Sequence, residues 1–257
     1  MEANYFPALL LVSLAGLSTT VGSAIGIFVR KPGNSFMAFT LGFAAGVMIL
    51  VSFVELLAGA IAEIGFAPAH LAFFGGIVFI FLLDLAIPHE YGAEHHKTEE
   101  QAESPLLRTG LLIALGIGIH NFPEGMVTFA GALEDIKVGV AIAVAIGIHN
   151  IPEGLAVSVP VFAATGSRKK AFLWSFLSGL SEPIGATLAA LILLPFLNET
   201  LLGVAFAAVA GIMVFISLDE LVPSAREYEK GHLAILGVIL GMMVMAVSLW
   251  LLGAVNK

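Results

Sequence analysis

The chain has 257 residues, of which 59% are hydrophobic and only 12% are charged, with a mean hydropathy of +1.01. A soluble domain carries about 25% charged residues, so this composition excludes a protein that folds entirely in water. The net charge of −8 comes without any basic run that would indicate nucleic-acid binding. The absence of cysteine excludes disulfides and thiolate metal ligands.

Eight apolar blocks are long enough to cross the roughly 30 Å of membrane hydrocarbon as helices. Backbone groups in hydrocarbon must pair internally, and the blocks lack the alternating pattern of a transmembrane β-barrel. The predicted spans are 7–29, 36–58, 70–88, 107–131, 137–162, 170–194, 202–222 and 232–254. The longest and most charged connection, at about 89–107, follows span three. We therefore predict an all-α integral membrane fold with a single domain over residues 1–257.

The distribution of lysine and arginine predicts the orientation of this fold, because cytoplasmic loops carry an excess of both. If the amino terminus is outside, the external side holds only Lys137 and Lys257. The cytoplasmic loops then hold Arg30, Lys31, Lys97, Arg108, Arg168, Lys169, Lys170, Arg226 and Lys230. We predict a multi-pass protein of the cell inner (plasma) membrane with both termini on the extracytoplasmic side.

A short segment of span four is repeated in span five, 29 residues further on. Residues 117–125 read IGIHNFPEG and residues 146–154 read IGIHNIPEG. A weaker similarity links Val54–Glu55–Leu56 in span two with Asp219–Glu220–Leu221 in span seven. Adjacent spans run antiparallel, so the two copies have opposite directions. Paired, interrupted helices of this kind are typical of inverted-repeat transporters with a site near the membrane midplane.

Glutamates within the predicted spans are the main functional signal. Glu124, Glu153 and Glu182 all lie well inside apolar segments, where a carboxylate costs roughly 2.5–3.5 kcal/mol on insertion scales. No lysine or arginine lies nearby in these spans to pair with them. Protons or bound cations must therefore neutralise these groups.

The spacing of the repeated segments favours cations. His120 and Glu124 lie one helical turn apart on one face, and His149 and Glu153 repeat the arrangement. Each histidine is followed by an asparagine whose side-chain oxygen is a further potential ligand, Asn121 or Asn150. Mixed nitrogen and oxygen ligands suit Zn²⁺, Fe²⁺, Mn²⁺ and Co²⁺ better than Mg²⁺ or Ca²⁺.

Pro123 and Pro152 stand beside these ligands, and each removes a backbone N–H from its helix. We expect a kink at each proline that widens the space between the helices. A single buried histidine is also compatible with a hydrogen bond between helices. The duplication of the whole segment favours a metal site over that structural interpretation.

With HNFPEG and HNIPEG in spans four and five of eight, the chain resembles the ZIP (Zrt/Irt-like protein) family of metal transporters. The resemblance implies an eight-helix bundle, with spans four and five at the core of an inverted repeat of three-helix units. The metal ligands it implies are His120, Asn121, Glu124, His149, Asn150, Glu153 and Glu182. It also implies room for two adjacent ions bridged by glutamates. Asn150 stands where some relatives have Asp, which leaves the second position with less charge.

The function implied by the resemblance is uptake of Zn²⁺ into the cytoplasm, and also of Fe²⁺, Mn²⁺, Co²⁺ and Cd²⁺. No prosthetic group is expected, since the bound metal is the cargo. The partners expected are the metal ions, membrane lipids and a second copy in a homodimer. The sequence has no P-loop for ATP. The alternatives are a cation antiporter that exports metal or Ca²⁺ and an intramembrane metalloprotease. Such a protease characteristically carries HExxH, which is missing from this sequence. We therefore predict that the protein is not an enzyme.

Four further residues are candidates for steps along an ion path: Glu55, His89, Asp219 and Glu220. These residues could equally be ordinary charged residues near the ends of helices. His95 and His96, in the acidic loop after span three, could collect or hand over metal. A solvated charged linker is the alternative for that loop.

Overall fold

The computed structural model describes residues 4–28, 33–86, 105–134, 136–193, 198–228 and 231–255. These residues form eight long helices and no strands. The helices are α1 Tyr5–Phe28, α2 Asn34–Ile64, α3 Phe66–Ala86, α4 Pro105–Glu134, α5 Ile136–Thr165, α6 Arg168–Leu188 with its extension Ala189–Leu193, α7 Glu199–Ile216 with its extensions Ser217–Leu221 and Val222–Glu227, and α8 Gly231–Val255.

Seven of the described helices are long and apolar enough to cross a membrane, and only α6 falls short by composition. Its first turn carries Arg168, Lys169 and Lys170, and Glu182 lies further along. Its 21 α-helical residues would still span about 30 Å at 1.5 Å per residue. The predicted all-α membrane architecture is confirmed.

Local signals set several of the helix ends. Ser167 Oγ accepts a hydrogen bond of 3.3 Å from the backbone N–H of Lys170, and Asn198 Oδ1 accepts one of 2.8 Å from that of Leu201. These side chains cap the first turns of α6 and α7. Gly65 and Gly166 end α2 and α5 with positive φ angles of 85° and 62°. Glycine adopts this left-handed backbone without a steric penalty.

Helices α2 and α7 run further than the sequence predicted, to Ile64 and Glu227 rather than to residues 58 and 222. Charged residues lower the hydropathy of both helix ends, although the backbone hydrogen bonding continues. Glu55 lies in the last third of this longer helix, further from its end than the sequence predicted. Both helices contain a π-helical segment, Ser52–Leu57 in α2 and Ser217–Leu221 in α7. Each segment begins at a serine that donates to the carbonyl of a methionine four residues earlier.

The helices pack as two groups of four. The first group comprises α1, α4, α5 and α6, and the second comprises α2, α3, α7 and α8. The groups meet where α5 packs on α2 and where α4 packs on α7. The largest hydrophobic core lies there and includes Leu41, Met48, Ile113, Ile117 and Met213.

Apart from a small contact between α5 and α8, the helix pairings remain the same when α1 is exchanged with α6, α2 with α7, α3 with α8, and α4 with α5. Within the first group α1 packs on α5 as α6 packs on α4, and within the second α2 packs on α8 as α7 packs on α3. The pairs α4–α5, α1–α6 and α2–α7 each map onto themselves. These contacts fit the inverted repeat of three-helix units that the resemblance implies, and the repeat itself stays a prediction.

Candidate metal centre

All of the ligands predicted from the sequence lie inside the first group of helices, and none is more than 2% exposed. Helix α4 supplies His120, Asn121 and Glu124, while α5 supplies His149, Asn150 and Glu153, and α6 adds Glu182. Neither Pro123 nor Pro152 ends its helix, because α4 and α5 each continue as one helix through the repeated segment. The structure therefore brings the predicted residues together between three helices.

Each histidine contacts the glutamate of the other repeated segment. The distance from His120 Nε2 to Glu153 Oε1 is 3.0 Å, and the distance from His149 Nε2 to Glu124 Oε1 is 3.4 Å. The first is an ordinary hydrogen bond, whereas the second is longer than hydrogen bonds usually are. The spacing along each helix predicted His–Glu pairs on one helix face, but the contacts join α4 to α5.

The two asparagines bind backbone carbonyls of neighbouring helices through their side-chain nitrogens. Asn150 Nδ2 donates to the Ala15 carbonyl of α1 at 3.0 Å and also to Glu182 Oε1. Asn121 Nδ2 donates to the Ser178 carbonyl of α6 at 3.4 Å. Because the nitrogens are engaged in this way, the amide oxygens point elsewhere, and neither has a hydrogen-bond partner.

Unpartnered ligand atoms are concentrated at this site. A buried polar atom without a partner costs about 1–3 kcal/mol, so such atoms are uncommon. The buried atoms without a hydrogen bond include Nδ1 of His120 and His149, Oδ1 of Asn121 and Asn150, and Oε2 of Glu124, Glu153 and Glu182. An unprotonated imidazole nitrogen, an amide oxygen and a carboxylate oxygen each offer a lone pair, as the ligands of divalent cations do.

The negative charge at the site also favours a divalent cation as the bound species. Glu124 and Glu153 both lie within electrostatic range of Glu182, so three carboxylates share one buried region. Within the described part of the chain, however, no group of three or more His, Asp or Glu is arranged to hold a metal ion as it stands. The site offers the donors and the charge, and its side chains would have to rotate to surround an ion.

Three of the four candidate ion-path residues occupy the π-helical segments of the second group. Glu55 lies on the surface of α2 but within electrostatic range of His149. Asp219 is exposed on α7, while Glu220 is half-buried and lines a small cavity that Asp84 of α3 also lines. The sequence interpretation did not single out Asp84, although a carboxylate inside span three was a usable signal. His89, like His95 and His96, lies outside the described residues.

The sequence interpretation also missed the contribution of α1, which presents a backbone carbonyl at Ala15 to Asn150. No charged or motif residue of α1 marked this helix as part of the site. The contact is made by a main-chain atom, which leaves no signal in the side-chain pattern.

Comparison with known proteins decides the family. The family model of the ZIP zinc transporters matches residues 88–249, which include every predicted ligand. The chain belongs to the ZIP family. The resemblance predicted from the HNxPEG segments is therefore confirmed, and the chain is a multi-pass membrane protein of that family.

Several ZIP relatives are similar over nearly their whole length. The zinc transporter ZupT of Streptococcus mutans is 51% identical over 262 residues, which cover 98% of this chain and 99% of that protein. The zinc transporter ZupT of Chlorobium phaeovibrioides is 53% identical over 263 residues, which cover 97% and 99%. The zinc transporter ZupT of Lysinibacillus sphaericus is 50% identical over 268 residues, which cover 98% and 100%.

Proposed function

We propose that this chain transports Zn²⁺ into the cytoplasm through the buried site between α4, α5 and α6. The observation that carries the proposal is the pair of reciprocal His–Glu contacts, surrounded by unpartnered amide and carboxylate oxygens. The names of the ZupT relatives, which describe them as zinc transporters, support the choice of metal.

The reciprocal pairs provide a means of binding and releasing a cation. When a divalent ion enters, Glu124 and Glu153 exchange their contacts with imidazoles for contacts with the ion. The imidazoles, now free, become nitrogen ligands through the same rotation. When the ion leaves, the His120–Glu153 and His149–Glu124 contacts form again, so the buried carboxylates have partners at both stages. A site that restores its own polar contacts can release its cargo at a lower cost.

The proposal includes the wider properties that the sequence predicted. The cargo extends to Fe²⁺, Mn²⁺, Co²⁺ and Cd²⁺, since the mixed ligand set does not select one of these ions by chemistry alone. The chain acts without ATP, a prosthetic group or catalytic activity, in the inner membrane, as a homodimer with both termini on the extracytoplasmic side. It forms a single transport domain over residues 1–257.

The test is Zn²⁺ uptake by vesicles reconstituted with the purified full-length protein. We expect Glu124→Ala and Glu153→Ala to reduce uptake to the level of empty vesicles, because each change removes a cation ligand and one half of a His–Glu pair. Glu63→Gln, an exposed position near the end of α2, serves as the control and should transport normally. Uptake by both alanine variants at the control rate would contradict the proposal.

The same vesicles decide between uptake and export. With the protein in a known orientation, an importer moves Zn²⁺ from the extracytoplasmic to the cytoplasmic side without a counter-ion gradient of Ca²⁺ or metal. Transport in the opposite direction, driven by such a gradient, would favour the antiporter instead.

Glu55 and Glu220 can be tested as residues of the ion path. If ions pass them on the way to and from the buried site, Glu55→Gln and Glu220→Gln should slow uptake several-fold and leave the equilibrium affinity for Zn²⁺ unchanged. Uptake at the wild-type rate in both variants would show that these are ordinary surface charges.

A further inference from the structure

Helix α1 crosses the metal centre in the same way as α6, although only α6 contributes a carboxylate. Residues 15–19 of α1 read AGLST, and residues 178–182 of α6 read SGLSE. The helices cross at Gly16 and Gly179, and a Cβ added to either glycine would lie 2.5 Å from the carbonyl oxygen of the other. With the two glycines as the common point, Thr19 occupies the position in α1 that Glu182 occupies in α6.

Hydrogen bonds from the central helices repeat this equivalence. Asn150 of α5 donates to the carbonyl of Ala15, which precedes Gly16, at 3.0 Å. Asn121 of α4 donates to the carbonyl of Ser178, which precedes Gly179, at 3.4 Å. The two asparagines therefore meet α1 and α6 at corresponding residues.

Close backbone approaches lead to the same assignment. A Cβ added to Gly125 of α4 would overlap the carbonyl oxygen of Glu182, and one added to Gly154 of α5 would overlap the carbonyl oxygen of Thr19. Gly125 and Gly154 are the last residues of the two repeated segments. Thr19 is thus placed against α5 as Glu182 is placed against α4.

One contact of this set has no counterpart. Asn150 donates to the Glu182 carboxylate, but no hydrogen bond joins Asn121 to Thr19. Thr19 Oγ1 and Asn121 Oδ1 are both buried at 0% exposure, and neither has a hydrogen-bond partner. Both residues approach the same turn of α6, since Asn121 bonds to Ser178 and a Cβ added to Gly179 would lie 3.1 Å from Thr19 Oγ1.

We propose that Thr19 and Asn121 form a neutral oxygen face of the cation site, opposite the carboxylate of Glu182, and that Thr19 limits the site to one divalent ion. The inference rests on the proposed function of the site. Three carboxylates and one divalent cation leave a single negative charge, whereas a second cation leaves a net positive charge in a buried region. A carboxylate at position 19 would balance two ions, and the threonine does not.

The experiment counts Zn²⁺ ions bound per chain by equilibrium dialysis of the full-length protein in detergent. Wild type and Thr19→Gln should each bind one ion tightly, with glutamine as the uncharged control for size. Thr19→Glu should bind a second ion with an affinity at least about tenfold higher than that of Thr19→Gln, since tenfold corresponds to only about 1.4 kcal/mol. Equal affinity for the second ion in the two variants would overturn the assignment.

The role of the hydroxyl is tested by changes that keep the packing against Gly179. Thr19→Val, which keeps the branched side chain but loses the oxygen, should weaken Zn²⁺ binding by about fivefold, the equivalent of one ordinary hydrogen bond. Thr19→Ser keeps the oxygen and should bind within about twofold of wild type. Ser23→Ala, which removes another buried, unpartnered hydroxyl of α1, is the matched control. Wild-type affinity in the valine variant would overturn the proposal even if Thr19→Glu fails to fold.

A charge swap separates this inference from the proposed function. Glu182→Thr should lose Zn²⁺ affinity, and adding Thr19→Glu to it should restore at least a tenth of the wild-type affinity from the equivalent position. A wild-type protein that binds and transports no divalent cation would contradict the proposed function. A wild type that does both, together with a double variant no better than Glu182→Thr, would contradict only the role of Thr19.

Discussion

His120 of α4 lies 3.0 Å from Glu153 of α5, and the same relation joins His149 to Glu124 at 3.4 Å. The two helices therefore share one set of candidate ligands instead of each forming its own. A cation that binds Glu153 must disturb His120, and one that binds Glu124 must disturb His149. The repeated segments consequently act as one unit.

A double-mutant cycle should detect this crossed pairing. We expect His120→Ala and Glu153→Gln to be strongly non-additive in Zn²⁺ affinity, with an interaction energy of about 1–3 kcal/mol, because the two residues share one contact. The pair His120→Ala and Glu124→Gln, one turn apart on α4, is the matched control and should show a smaller interaction. The affinities are measured by calorimetry, and a larger interaction within α4 would refute the crossed arrangement.

Glu182→Gln should have opposite effects on the thermal stability of the metal-free protein and on its affinity for Zn²⁺. The change removes one of three neighbouring carboxylates but keeps an oxygen that can accept the hydrogen bond from Asn150. We expect the metal-free variant to unfold at a higher temperature than metal-free wild type, because repulsion among buried charges falls. We also expect a weaker affinity for Zn²⁺.

The measurement is thermal unfolding in detergent with a chelator and then with Zn²⁺. At a free concentration 100 times its dissociation constant, a bound ion stabilises wild type by about 2.7 kcal/mol. The variant should gain less at that same concentration. The variant could instead unfold at a lower temperature than wild type in the chelator, and Zn²⁺ could raise the unfolding temperature of both proteins equally. That result would argue against a cation site that involves Glu182.

Gly154→Ala should be far more damaging than a glycine change elsewhere in a spanning helix. A methyl group at position 154 would overlap the Thr19 carbonyl of α1, and relieving the overlap should cost about 1–3 kcal/mol. Gly59→Ala in α2 is the control, since nothing lies within 4 Å of the added carbon. Thermal unfolding and Zn²⁺ uptake should both fall for Gly154→Ala and remain unchanged for the control. Equal behaviour of the two variants would show that the α1–α5 contact is not close.

Zn²⁺ binding should release protons and weaken in acid. Imidazoles and carboxylates bind a cation only in their deprotonated forms, so protons compete with metal at the same atoms. Calorimetry in two buffers with different ionisation enthalpies measures the number of protons released, which we expect to be greater than zero at pH 6. Glu124→Gln, which lacks one competing carboxylate, should release fewer. Binding that is independent of buffer and pH would be inconsistent with a site made of these groups.

Much of the site was predictable because its residues are expensive to bury. A carboxylate in an apolar helix stands out in a sequence, and the repetition of HNxPEG marked α4 and α5 as neighbours. The partner of each histidine was not predictable, since spacing along a helix shows which residues share a face but not which helix packs against that face. His120 and Glu124 are one turn apart, as predicted, yet His120 pairs with Glu153.

The residues that hydropathy missed are those that carry no charge. Thr19 and the carbonyl of Ala15 are ordinary features of an apolar helix. The carbonyl accepts a hydrogen bond from Asn150 of α5, and Thr19 lies close to the point where α1 crosses α6 at two glycines. Charged residues, by contrast, caused the length of α2 to be underestimated. Glu55 and Glu63 lower the hydropathy of its end, although the helix continues to Ile64.

The π-helical segments also change which way α2 and α7 face. A π turn contains one residue more than an α turn, so the helix beyond it is rotated by about 100° relative to an uninterrupted α-helix. In α2 the part before the segment packs mainly on α8, and the part after it packs on α7. In α7 the part before the segment packs mainly on α3, and the part after it packs on α2. A single helical wheel therefore misassigns the part of each helix beyond its π-helical segment, and two wheels, divided at Ser52 and at Ser217, describe them correctly.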